Sequence, residues 1–138
     1  MATNISERRL VDVLISWLRE YYTVAREVPH FEKRIDLALI EDTTEEIWAI
    51  EAKTKNWPQA IAQAIVNLAP ANRSYIAVYA NNVHRVCEET LQEHGIGLIS
   101  VGTRWGEVEI LRKAVLSPYH NHHSGDRVRD HILQNGGS

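Results

Sequence analysis

The sequence contains few of the residues that mark special classes of protein. Its 138 residues include one cysteine, Cys87, with 7 glycines and 4 prolines. One cysteine allows neither an internal disulfide nor a zinc site built from cysteines, and it suits a reducing cytoplasm. The low glycine and proline content argues against a disordered or fibrous chain. We therefore expect a globular, cytoplasmic protein.

Long apolar runs and an excess of positive charge are also missing. No run approaches the roughly 18–20 apolar residues that cross a bilayer, and the polar start MATNISERR is unlike a secretory signal. The formal net charge is −3, so any contact with nucleic acid must be local rather than driven by bulk charge. The sequence thus predicts no membrane partner. A hydrophobic fraction of 44% is enough for one core at this length.

The first half of the chain predicts a helix followed by three strands. Apolar residues recur at helical spacing from Ser6 to about Tyr22, and Asn4 or Ser6 can cap the first turn. Polar segments then separate three short apolar runs, which we interpret as strands: TVAREV, RIDLALIE and EIWAIEAK.

The second half adds two helices and three strands. Pro58 suits the first turn of one helix and Gly95 the end of the other. The order αβββαβαββ describes an α/β fold, a three-layer sandwich with a central mixed sheet flanked by helices. We assign residues 1–116 to a single domain, and 117–138, which lack periodicity, to a polar, flexible tail.

The second and third strands bring two acids together. If they form a hairpin with Thr43 and Thr44 at its tip, Asp36 lies opposite Glu51. A buried face selects the register of such a hairpin. The same register predicts one apolar face from three cross-strand pairs: Ile35 with Ala52, Leu37 with Ile50, and Leu39 with Trp48.

This pair of acids predicts a metal site. Like charges directly opposed across a hairpin destabilise it, and a divalent cation held by Asp36 and Glu51 compensates them, with the Ala52 carbonyl as a further ligand. Lys53 follows Glu51 by two residues and suits the orientation of an attacking water. The alternative is a charged strand end at which Glu51 pairs with Lys53 or Arg34 at the surface.

The acid on one strand and the E-A-K string on the next resemble the signature of the PD-(D/E)XK nuclease superfamily. The resemblance covers about Glu7 to Tyr79, and WAIEAKTKNWPQAIAQAI with YIAVY is similar to small restriction-endonuclease-like members. It implies Asp36 and Glu51 as metal ligands and Lys53 as the catalytic lysine. Ile35 replaces the proline of the signature, which removes one specific feature.

Subgroups of the superfamily imply further site residues. Members similar to Holliday junction resolvases carry an acid on the first helix, for which Glu7 is the best candidate and Glu20 the second. Glu27 is a third, supporting acid. RecB-like members place a glutamine on the helix after the lysine, where Gln59 and Gln63 stand four residues apart on one face. Asn67 stands where RecB-like members have a tyrosine. The chain is also similar to small Mrr-like members.

The sequence therefore predicts a nuclease that uses Mg²⁺ or Mn²⁺ to hydrolyse phosphodiester bonds, with DNA as substrate and no organic cofactor. Two alternatives stay open: a catalytically silent module of the same fold that binds DNA or protein, and the nuclease subunit of a larger system. The string HNHH at 120–123 is a weak compositional signal of metal binding. We do not assign it to the site.

A nuclease of this length has little room for a separate recognition domain, so we expect a homodimer with C₂ symmetry. Light scattering at micromolar concentration should give twice the mass of the 15.8 kDa chain. A single species with the mass of one chain would contradict this prediction.

Overall fold

The computed structural model describes residues 6–104 and 107–136, and a mixed six-stranded sheet runs through its centre. The strands lie side by side in chain order, β1 to β6. Pairing is parallel between β3, β4 and β5 and antiparallel elsewhere. The bounds are β1 Thr23–His30, β2 Lys33–Ile40, β3 Ile47–Ala52, β4 Arg73–Tyr79, β5 Gly97–Val101 and β6 Val108–Arg112.

Helices cover both faces of the sheet, which confirms the predicted α/β sandwich. The predicted order of elements is present, with a 3₁₀ helix and a last α-helix added. No helix in the described part of the chain is long and apolar enough to cross a bilayer. The bounds are α1 Glu7–Leu18, α2 Trp57–Val66, the 3₁₀ helix Ala80–Arg85, α3 Glu88–His94 and α4 His122–Asn135.

Helix α1 packs on one face of the sheet. The Ser6 hydroxyl accepts a hydrogen bond from the Arg9 amide at 3.1 Å and caps the helix, as predicted. The buried stripe of the helix meets an apolar surface contributed by β1 to β5. The helical members of this cluster are Leu10, Val13, Leu14, Ile15 and Leu18. Burial of this stripe fixes α1 against the hairpin that carries the two acids.

Helices α2, α3 and α4 pack on the opposite face. Ala60 and Ala64 are fully buried, and their small side chains let α2 lie close to β3 and β4. Leu91 of α3 joins the same cluster. Helix α2 connects two parallel strands, which require a crossover of this kind.

The predicted hairpin register is confirmed, since Leu37 pairs with Ile50, Leu39 with Trp48 and Ile40 with Ile47. The predicted apolar face is wrong at one position. Ile35 packs with Val28 and Ala38 on the opposite face.

The cause is a local irregularity in β1 and β2. Glu27 has a positive φ of 52° in the middle of β1. Ala25 and Val28 share one apolar cluster although they are an odd number of positions, three, apart, and the same holds for Ile35 and Ala38. Regular strands alternate with a period of two, so both strands change face once at this point.

The segment after β4 is a second difference. The sequence predicts one helix that ends at Gly95 here, whereas a 3₁₀ helix ends at Arg85 and α3 starts at Glu88. Val86 is buried between them and Cys87 is exposed. The extended conformation of both residues interrupts the helical pattern.

The prediction of a flexible tail from residue 117 is wrong for its described part. Asn121 caps α4 by accepting hydrogen bonds from the amides of His123 and Ser124. Val128 and Ile132 are buried against β1 and β2. Only two large apolar residues point inwards over these four turns, so the pattern was too sparse to predict a helix.

We expect Ile132→Ala to lower the free energy of unfolding by about 2–5 kcal/mol, because it leaves a cavity under α4. Leu133→Ala is the matched control, since Leu133 is the next residue and 63% exposed. Its effect should stay within about 0.5 kcal/mol. Urea unfolding measures both, and equal effects would mean that α4 does not pack as described.

Candidate active site

Asp36 and Glu51 meet where the pairing of β2 with β3 ends. The last backbone pair of this ladder joins Leu37 to Ile50. Two residues further along β3, the Ala52 amide donates to Oδ2 of Asp36 at 2.9 Å. The Asp36 side chain thus satisfies a β3 amide just beyond the end of the ladder, and its carboxyl is held against the β3 backbone.

Glu51 is enclosed by protein on the α2 side of the sheet. Its side chain is buried, with 2% of its surface exposed. Nδ2 of Asn67, itself buried, donates to Oε2 of Glu51 at 2.8 Å. Glu51 forms neither of the surface ion pairs that were the alternative, with Lys53 or Arg34, within the described residues. That interpretation is therefore wrong.

Burial and the neighbouring acid control the ionisation of Glu51. Burial, then the charge of Asp36, raises the pKa of Glu51 to about 8, and the hydrogen bond from Asn67 acts in the opposite direction. A neutral carboxylic acid is therefore the favoured form of Glu51 at pH 7 in the protein alone.

Asp36 is affected in the same direction. Burial raises the pKa of Asp36, and the Ala52 amide and the Lys53 ammonium oppose the shift. Each carboxyl changes the pKa of the other, so the two titrate as a pair. A compensating positive charge is needed before both can ionise.

A cleft between α1 and the hairpin opens onto Asp36. It has a volume of about 340 Å³, and the half-buried Asp36 carboxyl lies in its wall. Its lining joins acids and arginines from α1, β1, β2 and β3: Glu7, Arg8, Val11, Arg26, Glu27, Asp36 and Ala52. Such a cleft has space for a hydrated cation and a phosphate group.

Helix α1 contributes Glu7 to this cleft. Oε1 of Glu7 accepts a hydrogen bond from the Thr54 amide at 3.3 Å, directly after Lys53. The Lys53 amide donates to the Ala77 carbonyl at 3.2 Å and continues the pairing of β3 with β4. Glu7 and Lys53 therefore lie at the same sheet end as Asp36.

The remaining candidates divide between the two sides of the sheet. Glu27 lines the cleft with Asp36, and its charge raises the pKa of Asp36. Gln63 instead lines a small pocket with Glu51 and Asn67, and its Oε1 is buried without a hydrogen-bond partner. Gln63 therefore lies near Glu51 and does not line the cleft that contains Asp36.

Two candidates do not join the site. Glu20 lies beyond the end of α1, about 20 Å from Glu7 by the helical rise of 1.5 Å per residue. Gln59 is exposed and accepts a hydrogen bond from Asn56 at 3.1 Å. Within the described ranges no group of three or more His, Cys, Asp or Glu side chains is arranged to hold a metal ion, the histidines of 120–123 included.

Asn67 is the functional candidate that sequence reasoning did not assign. It was noted only as the residue in place of a tyrosine, whereas the structure makes it the hydrogen-bond donor to Glu51. A signal was available, because Gln59, Gln63 and Asn67 recur every four residues on one helical face. A polar stripe on a helix that crosses over a buried sheet has to meet polar partners.

Comparison with known proteins identifies a shared fold but no function. No protein-family model matches the chain, and no curated protein matches it in sequence. SPO1766 from Silicibacter pomeroyi, a protein of unknown function, superimposes with a TM-score of 0.69 at 21% identity, over 96% of this chain and 87% of its own. This likeness shows a shared fold. SfsA from Pyrococcus furiosus, solved with Ca²⁺, has a TM-score of 0.40 at 14% identity, over 75% of this chain and 59% of its own.

The buried acid predicts a stability that falls as pH rises. Glu51 has its pKa raised from 4.5 to about 8 on folding, so between these values the unfolded chain is ionised while the folded protein keeps its proton. Stability is then present below about pH 4.5 and is lost towards pH 8. In EDTA we expect a loss of roughly 2–4 kcal/mol for wild type, and a much smaller loss for Glu51→Gln.

Urea unfolding at several pH values between about 5 and 8 measures this difference. The matched control is Glu93→Gln, the same substitution at an exposed glutamate of α3. If Glu51→Gln keeps the wild-type slope, the carboxyl is not held as described.

Proposed function

We propose that this chain is a divalent-metal-dependent nuclease of the PD-(D/E)XK type that hydrolyses phosphodiester bonds in DNA. The observation that carries the proposal is a pair of carboxyls at a sheet end, the buried Glu51 and the half-buried Asp36, beside Lys53 and an open cleft. A perturbed acid pair in a cleft is characteristic of functional sites.

The donor set fits Mg²⁺ or Mn²⁺. Hard cations of this size prefer oxygen ligands and are commonly held by one or two carboxylates, with water and substrate phosphate as further ligands. Asp36 and Glu51 would hold the ion, and the Ala52 carbonyl is an acceptable third protein ligand. When bound, such an ion polarises the phosphate and lowers the pKa of a coordinated water.

The side chains of the cleft supply the remaining functions. The charge of the Lys53 ammonium lowers the pKa of Asp36, so the two groups are close enough to interact. Lys53 is therefore suited to orient the attacking water and to offset negative charge that develops on the phosphate. Glu7 holds the backbone next to Lys53 through the Thr54 amide. Arg8 and Arg26 line the cleft and are suited to bind neighbouring phosphates.

The same contacts argue against a catalytically silent module. The buried Glu51 and the half-buried Asp36 repel each other when ionised, which costs stability, and such a pair would be readily replaced in a protein without chemistry. Action as the nuclease subunit of a larger system uses the same site and is compatible with the proposal.

A cleavage panel tests the proposal. With Mg²⁺ or Mn²⁺ the protein should cut at least one of single-stranded, duplex, flap and branched DNA, and EDTA should abolish the reaction. Lys53→Ala and Asp36→Asn should each lower the rate by roughly 100-fold or more, because each removes a group that acts in the transition state.

Lys113→Ala is the control for Lys53→Ala, since Lys113 is an exposed lysine after β6. Its rate should equal that of wild type. Circular dichroism establishes that each variant is folded. Cleavage that persists unchanged in Lys53→Ala and Asp36→Asn would show that any activity in the preparation comes from elsewhere.

A further inference from the structure

Strands β1 and β2 form an arm that extends past the active-site end of β3. The pairing of β2 with β3 stops at Leu37. Beyond that point β1 and β2 continue to pair with each other, from Val28 with Ile35 to His30 with Lys33. We name residues 28–35 the hairpin arm. It begins directly next to Asp36.

The tip of the hairpin arm exposes the one phenylalanine of the chain, Phe31. Its side chain is 76% exposed, the highest value among the large apolar residues described as exposed. Its φ is 55°, a left-handed conformation that glycine adopts without cost and a bulky residue does not. Exposure and strain are both unfavourable, and a strained outlier of this kind points to a function.

The Phe31 ring is supported from one side. The rings of His30 and Phe31 are 4.7 Å apart between centroids at 59°. Both residues line a shallow pocket with Ser124, Arg127 and His131 of α4. Helix α4, which packs on β1 and β2, thus holds the base of the arm while the outer ring surface faces solvent.

Positive charge connects the tip to the acid pair. The hairpin arm contains Lys33 and Arg34 with a single acid, Glu32, and Arg127 faces it from α4. His30, Lys33 and Arg34 also line the pocket that contains Glu51. A line of basic residues therefore runs from Phe31 to the Glu51 side of the acid pair, in a protein of negative net charge.

We propose that Phe31 stacks on an unpaired base of a nucleic acid strand that is bound along this line of basic residues. This inference rests on the proposed nuclease function and names its substrate class, a strand with unpaired bases next to the cleavage point. Aromatic side chains flanked by cations are the usual platform for such strands. From Asp36 to Lys33, the last paired residue before the turn that holds Phe31, three residues of extended chain span about 10 Å. This is about three base steps of 3.4 Å.

Binding of labelled DNA tests the proposal. We compare a short single strand with a duplex closed by loops at both ends, using Lys53→Ala with Mg²⁺ as the common background so that binding is measured without cleavage. Adding Phe31→Ala or Phe31→Gly should weaken binding of the single strand by about 5- to 100-fold and leave the closed duplex nearly unchanged. Phe31→Trp should keep the affinity.

Two further measurements separate stacking from a structural effect. The fluorescence of 2-aminopurine in the strand should be quenched by the parent and by Phe31→Trp, but not by Phe31→Ala. Phe31→Gly relieves the strained conformation, so it should fold at least as stably as the parent while binding weakly. Tyr119→Ala is the matched control, because Tyr119 is a 71% exposed aromatic residue outside the hairpin arm.

Several results would overturn the proposal: a single strand that does not bind the parent, equal affinity of Phe31→Ala and parent, or equal loss for single strand and closed duplex. The same binding measurement with a single strand of RNA distinguishes DNA from RNA, since the bases of both can stack on an aromatic ring. If no DNA is cleaved but Phe31-dependent binding is found, only the nuclease proposal fails. If Lys53-dependent cleavage is found and Phe31→Ala binds normally, only the stacking proposal fails.

Discussion

Asp36 and Glu51 are two carboxyls that share one end of a β-sheet under conditions in which they cannot both ionise without a compensating charge. Their position follows from the ladder between β2 and β3, which stops at Leu37 and Ile50. Beyond it the Ala52 amide bonds to the Asp36 carboxyl, and Asn67 bonds to Glu51 from the other face. The pair thus connects the α1 side of the sheet with the α2 side.

The backbone near this end of the sheet contains residues in unfavourable conformations. Non-glycine residues with positive φ include Glu27 on the cleft wall, Phe31 at the arm tip and Asn56 before α2. All three lie in segments that enter or leave the site. Left-handed conformations of such residues are unfavourable, and they persist because the surrounding sheet and helices are well packed.

Part of the site was predictable from short-range pattern. The hairpin register came from apolar alternation, and α1 was predictable from its stripe and its Ser6 cap, so Glu7 and Lys53 could be assigned to one neighbourhood. The role of Asn67 was not predictable, because it depends on the distance between α2 and β3. The packing of Ala60 and Ala64 sets that distance.

The sequence by itself determined the order of the α-helices and strands from α1 to β6, the register of the acidic hairpin and the presence of two acids and a lysine near one strand end. These depend on alternation and capping, which act over a few residues. Only the tertiary structure decided that β1 and β2 change face at Glu27 and Asp36, that α4 is a packed helix, and that Phe31 stands at the tip of an arm. Each of these depends on contacts between segments that are distant in the chain, and no local pattern encodes such contacts.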